Sequence, residues 1–489
     1  MRPVLLLALL CACAYSQKKI YPERWVYVSR PLRSDADVED IRRIARTAAG
    51  HGLNGMQLAA GVDRIDIAPP EYLDRLARVK KICDENKLEL IPSGFNVGYG
   101  GAVLAHDRNL AAGMPVKGAL FIARGGEAVF APDSPAFDGG PLVKVKPYRC
   151  YRVRWRSRRQ SPEARGFSLR AVAPDNRNLL YFESSLGEEP RDFTWGFNSW
   201  YAEEVRIQAP PGFTLENLRV EEVGLLNVVR REGTPVAVRD EASGTVYREG
   251  RDYAPIADPG LNFRFDRPSP AIRLLPGGRI REGARLRVDY YHGLTIYRDQ
   301  VCADISEPKV YEIWRKQFPL IEKHLAPKRY FLNFDEVRVS GFCETCRKRN
   351  LSAAQMLGEA ITSLYRMIRE VNPKAEIFVW SDMLDPNHNS RPKYYLVDGD
   401  FTGSWNYVPK DLRIACWYFE RREKSLAHFS SLGFKTLAGS YYDADDLRNP
   451  EGWLEALDAT PGAMGIMYTT WRNKYTLLPA FGDLVSKRP

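Results

Sequence analysis

The sequence predicts an α/β fold, a (β/α)8 TIM barrel that is interrupted after its third strand by an all-β (β-sandwich) insertion. Alternating strand and helix patterns occupy residues 25–95 and return at about Asp299, and such alternation indicates parallel strands joined by helices. Three strands precede the middle segment and five follow it, and eight parallel strands interleaved with helices close into a barrel. A chain of 489 residues has room for two or three domains.

The first part of the barrel is predicted over residues 17–109. Apolar residues recur there at helical spacing, and the second helix begins after Pro69 and Pro70. Short apolar runs with the length of buried strands lie on either side of these helices, at 25–29, 53–58 and 88–95. This βαβαβ order predicts three neighbouring parallel strands.

The middle segment, residues 110–294, has no helical periodicity. Short stretches such as the one around Trp155 alternate apolar and polar residues between turns rich in Gly, Pro, Asn and Asp. This pattern predicts one or two β-sandwich modules, and a division near Gly224 gives modules 110–224 and 225–294. Insertion at a loop of the barrel costs little, because loop-closure entropy grows slowly with loop length.

The second part of the barrel is predicted over residues 295–489. A helix that begins at Ser352, with Gln355 three residues later, has the sequence of a capping box. Apolar residues at helical spacing follow it, and a proline lies just beyond its end. The five predicted strands begin at Tyr330, Glu376, Leu412, Phe434 and Met464.

The N-terminal residues have the pattern of a signal peptide. A basic residue, an apolar core over residues 4–12 and a small-residue cleavage site predict removal of residues 1–16 and export of the chain to the periplasm or the extracellular space. The alternative is a bacterial lipoprotein site, with anchoring through Cys13. No later stretch is long and apolar enough to predict an integral membrane span.

The charge of the chain argues against nucleic acid as a partner. Its 71 basic and 61 acidic residues give a net charge of +10 that is spread along the sequence. The densest basic run, residues 152–159, alternates with apolar residues, which is typical of the solvent face of a strand. Attraction to acidic glycans fits this charge better. The sequence does not indicate the oligomeric state.

We predict no metal and no cofactor. The six histidines include no pair at metal-binding helical spacing, and Cys343 with Cys346 is one close pair where a zinc site needs four ligands. A local disulfide between these cysteines suits an exported chain. The sequence contains no nucleophile elbow, phosphate-binding loop or dinucleotide fingerprint.

The strand that begins at Tyr330 ends in two adjacent carboxylates, Asp335 and Glu336. Ionised side chains are rarely buried without a partner, so two acids there indicate a site that uses carboxyl groups, as glycoside hydrolysis does. The alternative is that they mark the strand end and pair with Arg338. Barrel chemistry lies at the C-terminal strand ends, where polar and aromatic side chains recur in this chain: Arg30, Asn96, Trp380, Asp382, Trp417, Tyr442, Asp443 and Trp471. Trp405 lies in the segment before strand six.

Such a set of side chains suits an oligosaccharide or polysaccharide. Aromatic rings stack on the apolar faces of sugars, while carboxylates and arginine bind the hydroxyls. Each member has a structural alternative: packing at the rim for a tryptophan, a cap for Asp382 and ion pairing for Arg30. Their coincidence at one end of the barrel favours a site.

The order of these strand ends resembles the catalytic barrel of family 20 glycoside hydrolases, the β-N-acetylhexosaminidases. That family has an Arg after strand one, Asp-Glu after strand four, Trp-x-Asp after strand five, a Tyr-x-Asp-like motif on strand seven and a Trp on strand eight. The resemblance covers residues 20–100 and 300–480, through Arg30, Asp335, Glu336, Trp380, Asp382, Tyr441, Tyr442, Asp443 and Trp471.

The resemblance implies a role for each residue. Glu336 would be the general acid, and Asp335 would orient the substrate's 2-acetamido group, which acts as the nucleophile in place of an enzyme carboxylate. Tyr442 would hold the acetamido oxygen, and Arg30 the remote hydroxyls. The walls of the pocket would be Trp380, Trp405, Trp417 and Trp471.

The chain departs from the family pattern at two places. Asn333 and Phe334 stand where the family has a His and two small residues, and Arg472 and Asn473 follow the last Trp where the family has a Glu. These departures leave the sugar and the linkage open.

Taken with the signal peptide and the strand ends, the resemblance predicts an exported, exo-acting, retaining glycoside hydrolase that acts on a hexosamine-containing glycan. The alternative is a non-catalytic carbohydrate-binding or cell-surface protein on a degenerate barrel.

Overall fold

The computed structural model describes residues 19–488. The predicted signal peptide, residues 1–16 with Cys13, lies outside the described residues. Among the helices that are described, none combines the length and the apolar character needed to cross a membrane.

The first part of the chain forms three strands with helices between them. Helix α2 begins with a proline, which fits there because the first residues of a helix have no intrahelical partner for their N–H groups. The strands are β1 (Glu23–Ser29), β2 (Gly55–Ala59) and β3 (Glu89–Gly94), and the helices are α1 (Asp35–Gly50), α2 (Pro70–Glu85) and α3 (Gly101–Leu104).

Antiparallel strands make up the middle of the chain. Their short lengths and the turns between them match the alternating pattern of the sequence. In order they are β4 (Met114–Arg124), β5 (Glu127–Phe130), β6 (Phe137–Asp138), β7 (Leu142–Lys144), β8 (Cys150–Ser157), β9 (Phe167–Val172), β10 (Asn178–Ser184), β11 (Arg191–Asn198), β12 (Glu204–Gln208), β13 (Glu216–Val223), β14 (Ala237–Asp240), β15 (Val246–Tyr247), β16 (Ile272–Arg273) and β17 (Arg285–His292).

These strands form a sandwich and a third sheet. The sandwich sheets have the orders β10-β9-β12-β7 and β11-β8-β13-β6, and they share a core in which the Trp155 ring of β8 packs on Phe182 of β10 at 5.1 Å. The third sheet has the order β15-β14-β17-β4-β5-β16. Because β4 and β5 precede the sandwich and β14 to β17 follow it, this sheet runs across the division suggested near Gly224.

The last part of the chain returns to alternating helices and strands. The capping box at the start of α6 is present: Ser352 Oγ accepts from the Gln355 N–H at 3.1 Å, and the Ser352 N–H donates to Gln355 Oε1 at 2.9 Å. The elements are α4 (Pro308–Leu325), β18 (Arg329–Leu332), β19 (Val339–Ser340), α5 (Glu344–Lys348), α6 (Ala353–Val371), β20 (Glu376–Trp380), β21 (Leu396–Val397), β22 (Arg413–Cys416), α7 (Arg422–Ser431), β23 (Lys435–Tyr441), α8 (Arg448–Asp458), β24 (Ala463–Thr469) and α9 (Leu478–Ser486).

Eight of the strands close into a parallel barrel. Their order is β1-β2-β3-β18-β20-β22-β23-β24, and β1 pairs with both β2 and β24. Large side chains fill the barrel interior, including Trp25, Phe331 and Phe378. The predicted α/β barrel with an additional β domain is therefore confirmed.

The β domain shares its apolar interface with the barrel. Val229, Phe263 and Tyr291 are buried within the same cluster as the barrel helices. In the other direction, Val339 and Phe342, from the segment after β18, are buried in the core of the β domain. The barrel and the β domain are therefore packed together, because each contributes apolar side chains to the core of the other.

Candidate active site

A cavity of about 630 Å³ opens at the carboxyl ends of the barrel strands. The β domain closes one side of it. The structure brings most of the predicted site residues together at its lining, namely Asp335, Glu336, Trp380, Trp417, Tyr442, Asp443 and Trp471.

The two adjacent acids lie in the loop after β18. Phe334 and Glu336 have φ values of +45° and +52°, a conformation that residues with side chains rarely adopt. The loop therefore turns sharply and presents both carboxyl groups, half-buried, to the cavity. Gly98 makes room for this turn, because a Cβ at residue 98 would lie 2.0 Å from the carbonyl oxygen of Asp335.

Glu336 is held on both carboxylate oxygens. The guanidinium of Arg338 lies 2.9 Å from Oε1, and the hydroxyl of Tyr99 donates to Oε2. Arg338 is itself buried and lies over the ring of Tyr297 at 4.5 Å. The ion pair with Arg338, which was the alternative role predicted for the acids, is thus present. Its acidic member, Glu336, lines the cavity.

Among residues 19–488, Asp335 has no ion pair like the one between Glu336 and Arg338. The amide of Asn96 donates to its Oδ1, while burial and the negative charges of Asp382 and Glu336 raise the pKa of Asp335 well above its usual range. The adjacent carboxyl groups therefore sit in opposite environments, one paired with a cation and one crowded by acids.

Asp382 lies behind the pair and is fully buried, so it does not line the cavity, contrary to the prediction that it binds substrate. Its Oδ2 accepts the N–H of Glu336 and the amide of Asn389, both at 2.9 Å. Burial raises the pKa of Asp382 to about 7, although these donated hydrogen bonds oppose the shift. Asp382 thus positions the acidic loop.

Aromatic rings form the wall opposite the acids. Trp417 and Tyr442 are stacked, with ring centroids 5.9 Å apart and planes 9° apart. Trp471 packs on Tyr27 at 5.2 Å and on Trp380 at 6.0 Å, and 41% of its surface stays exposed. Exposed faces of this kind are platforms on which sugar rings stack.

Asp443 reaches the cavity, but its carboxylate is engaged with the backbone of the loop after β24. It accepts the N–H of Trp471 at 2.9 Å and that of Arg472 at 3.3 Å, and it accepts the hydroxyl of Thr470. Its position depends on a run of left-handed backbone, since Tyr441, Tyr442 and Asp443 all have positive φ. Asp443 therefore fixes the loop that carries the ring of Trp471.

Besides Asp382, two further predicted site residues do not line the cavity. Arg30 follows the last residue of β1 and turns to Asp40 of α1, at 3.4 Å, and to the side chain of Asn473. Trp405 lies in a short 3-10 turn that packs against α6, and its ring contacts His428 at 4.7 Å. Neither side chain lines the cavity, contrary to the predictions that Trp405 forms part of the pocket wall and that Arg30 binds remote hydroxyls of the substrate there.

Several lining residues were not predicted. Tyr99 lies three residues beyond Asn96, so the end of strand three was a signal for it. Glu183, Tyr297 and Arg298 come from the β domain and from the segment that returns to the barrel. Nothing in the strand-end pattern of the barrel indicated these three.

The described residues also bring three potential metal ligands together outside the cavity. Asp304, Cys343 and Cys346 are buried, with ligand atoms within 4.8 Å of one another. The two sulfurs are 3.2 Å apart as thiols, without the predicted disulfide. Arg231 already binds Asp304 Oδ2 at 2.6 Å, so this carboxylate has a cationic partner.

Comparison with known proteins gives no match to a family model and none to a curated protein. Solved structures do match. The chitobiase of Flavobacterium johnsoniae has 10% identity over 96% of this chain and 51% of its own, with a TM-score of 0.39. The Streptomyces plicatus N-acetyl-β-hexosaminidase has 9% identity over 95% of this chain and 64% of its own, with a TM-score of 0.40.

A rhamnosidase from Novosphingobium sp. PP1Y also matches, with 11% identity over 92% of this chain and 55% of its own and a TM-score of 0.35. The chain spans about half to two thirds of the length of these three proteins. Several of the matched structures belong to family 20, the family that the strand ends resemble. With TM-scores below 0.5, these similarities do not assign roles to the residues of the cavity.

Proposed function

We propose that this chain is a glycoside hydrolase that acts on hexosamine-containing glycans in the cavity at the barrel mouth. One observation carries the proposal. Asp335 and Glu336 are adjacent carboxyl groups in opposite electrostatic environments, and they face a wall of exposed aromatic rings. Sugar hydrolysis needs both parts, a surface on which a ring stacks and carboxyl groups with separate tasks.

Glu336 is our candidate for the general acid. It faces the cavity beside Tyr99, whose hydroxyl donates to Oε2, while Oε1 stays on Arg338. A glycosidic oxygen that replaces the Tyr99 hydroxyl at Oε2 would lie within reach of a proton on that atom. Tyr99 is suited to stay a donor, because burial and the charge of Glu336 raise its pKa.

Asp335 is our candidate for orienting a 2-acetamido group. The attack of that group on the anomeric carbon would create positive charge next to Asp335, with Asp382 behind it. In the free protein, burial and the negative charges of Asp382 and Glu336 disfavour the ionised form of Asp335 and raise its pKa. A cation that develops in the cavity beside Asp335 would favour the ionised form of this carboxyl group, so the site would bind the transition state more tightly than the substrate.

This chemistry gives retention of configuration, because the substrate's own group occupies the opposite face before water attacks. We also propose exo action, since the cavity is a pocket at the barrel mouth with Trp471 and Tyr442 at its wall. Export is proposed from the N-terminal pattern of residues 1–16 alone.

A non-catalytic carbohydrate-binding protein is the second candidate. The observation that favours it is the occupation of both Glu336 oxygens, by Arg338 and by Tyr99. A screen of aryl β-glycosides with and without a 2-acetamido group, run beside calorimetry with chitooligosaccharides, separates the two. A hydrolase releases the aryl alcohol, whereas a binding protein gives heat on titration without any release.

A further inference from the structure

The catalytic cavity continues into a groove on the β domain. A second cavity of about 620 Å³ adjoins the first, and Glu183, Arg298 and Arg472 line both of them. The groove runs along β9 and β10 of the sandwich and ends beside Arg165. A chain longer than one sugar could therefore extend from the barrel mouth across the sandwich surface.

The floor of this groove is aromatic. The rings of Tyr181 and Tyr297 are stacked, with centroids 5.5 Å apart and planes 6° apart, and they line the two neighbouring cavities. Both hydroxyls donate to Glu183, at 2.5 and 2.8 Å. These bonds fix the positions of the two rings, which are further covered by Arg170 and Arg338. They also engage Glu183, the one acid that lines both cavities.

The walls of the groove are basic. Arg298 lies over the Tyr297 ring at 5.3 Å and 3.5 Å from Glu183. Arg165 and Arg472 are exposed, and within residues 19–488 neither guanidinium has an ion-pair or hydrogen-bond partner. Most arginines near the sandwich are paired with acids, as Arg152 and Arg154 are with Glu221. Unpaired arginines along a groove are available to a ligand.

A chain of contacts connects the groove to Glu336. Tyr297 stacks on Tyr181 of the groove and lies under Arg338 at 4.5 Å, and Arg338 binds Glu336 at 2.9 Å. A general acid stands beside the leaving group, so on the proposed function this groove receives the leaving-group part of the substrate.

We infer that the groove binds an anionic glycan, with sulfate or carboxylate groups on Arg165, Arg298 and Arg472 and its sugar rings beside the Tyr181–Tyr297 pair. The planar fork of a guanidinium matches the oxygens of both groups. The net charge of +10 adds a long-range attraction to the same ligands. This inference rests on the proposed function for the direction of the chain, but the binding itself does not require turnover.

Calorimetry tests the inference on the full chain with Glu336→Gln, which prevents consumption of ligand. The probes are chitotetraose, which is neutral, a hyaluronan tetrasaccharide with carboxylates, and a chondroitin 4-sulfate tetrasaccharide with sulfates as well. We expect at least one anionic probe to bind about tenfold more tightly than chitotetraose in 50 mM salt, with a smaller ratio in 300 mM salt. The preferred probe identifies the anionic group.

Arg165→Gln and Arg472→Gln should each reduce this preference about threefold to tenfold, which is the effect of losing one solvent-exposed ion pair. Arg251→Gln is the matched control, because Arg251 is exposed and lies away from both cavities. Equal affinity for neutral and anionic probes, or arginine variants that behave like Arg251→Gln, would overturn the inference. Hydrolysis of an aryl hexosaminide by the unaltered protein reports on the proposed function separately.

Discussion

The backbone N–H of Glu336 donates to the buried carboxylate of Asp382 at 2.9 Å. This bond joins the loop after the fourth barrel strand to the end of the fifth, and it explains why a residue predicted to bind sugar is inaccessible. Asp382 holds the acidic loop in its strained conformation, and its own burial raises its pKa to about 7. Its titration is therefore linked to the stability of the fold.

The first prediction concerns the pH dependence of unfolding. The pKa of Asp382 is raised in the folded protein above the unfolded value of about 4. Its contribution to stability is therefore fully present below pH 4 and is lost as the pH rises through about 7. We expect Tm to decline less between pH 5 and pH 8 in Asp382→Asn than in the parent protein. The corresponding difference in the free energy of unfolding is on the order of a few kcal/mol. Thermal unfolding at the two pH values measures it.

Asp192→Asn serves as the control, because Asp192 is exposed on the sandwich. The comparison uses the slope of Tm against pH, since Asp382→Asn also loses acceptors for bound N–H groups and lowers Tm at every pH. If Asp382→Asn has the same slope as the parent protein, the pKa of this carboxyl group does not differ between the folded and the unfolded protein in that pH range.

The second prediction concerns the acetamido group. If Asp335 orients it, a thiazoline mimic of the cyclic intermediate should inhibit tightly, and Asp335→Asn should weaken that inhibition about tenfold to a hundredfold. Inhibition should also weaken as the pH falls through the raised pKa of Asp335, because protonation removes the negative charge that strengthens the hydrogen bond from the N–H. Equally fast hydrolysis of a sugar without a 2-acetamido group, with no effect of the thiazoline, would refute this role.

The third prediction concerns the β domain. Replacement of residues 110–294 by a short linker should abolish cooperative unfolding, because Val229, Phe263 and Tyr291 complete the apolar cluster around the barrel. Each large side chain of this kind contributes about 1.5–3 kcal/mol. Calorimetry and near-ultraviolet circular dichroism check it. A shortened chain that melts cooperatively near the Tm of the full chain would show instead that the barrel folds alone.

The sequence was sufficient for the barrel because apolar runs and helical stripes alternate clearly in both parts of the chain. The acids and most of the predicted aromatic rings lie together at one cavity, since strand ends in a parallel barrel meet at one face. Strand β18, which ends at Leu332, is shorter than the apolar run that continues to Phe334. Periodicity cannot detect the left-handed turn at Phe334 that ends the strand early.

The errors at Arg30 and Trp405 have a common cause. Alternation fixes the direction of a side chain only inside a regular strand, and both residues lie outside one. Arg30 is one residue past β1, where an ion pair with Asp40 decides its direction. Trp405 lies in a turn that packs against α6 through Gly358 and Tyr407. The contributions of Glu183 and Tyr297 depend on how the β domain docks, which no local pattern encodes.

The most direct test of the proposed function is the rate at which the mature protein cleaves a series of aryl β-N-acetylhexosaminides, measured beside Glu336→Gln. We expect the variant to lose about 10²- to 10⁴-fold in turnover with a poor leaving group such as phenol. The loss should be much smaller with dinitrophenol, which needs little protonation. Glu420→Gln, a change at an exposed acid outside the cavity lining, should keep the parent rates. Equal turnover by Glu336→Gln and the parent protein, or a folded parent that binds chitooligosaccharides without cleaving any hexosaminide, would contradict the assignment of this cavity as a glycosidase site.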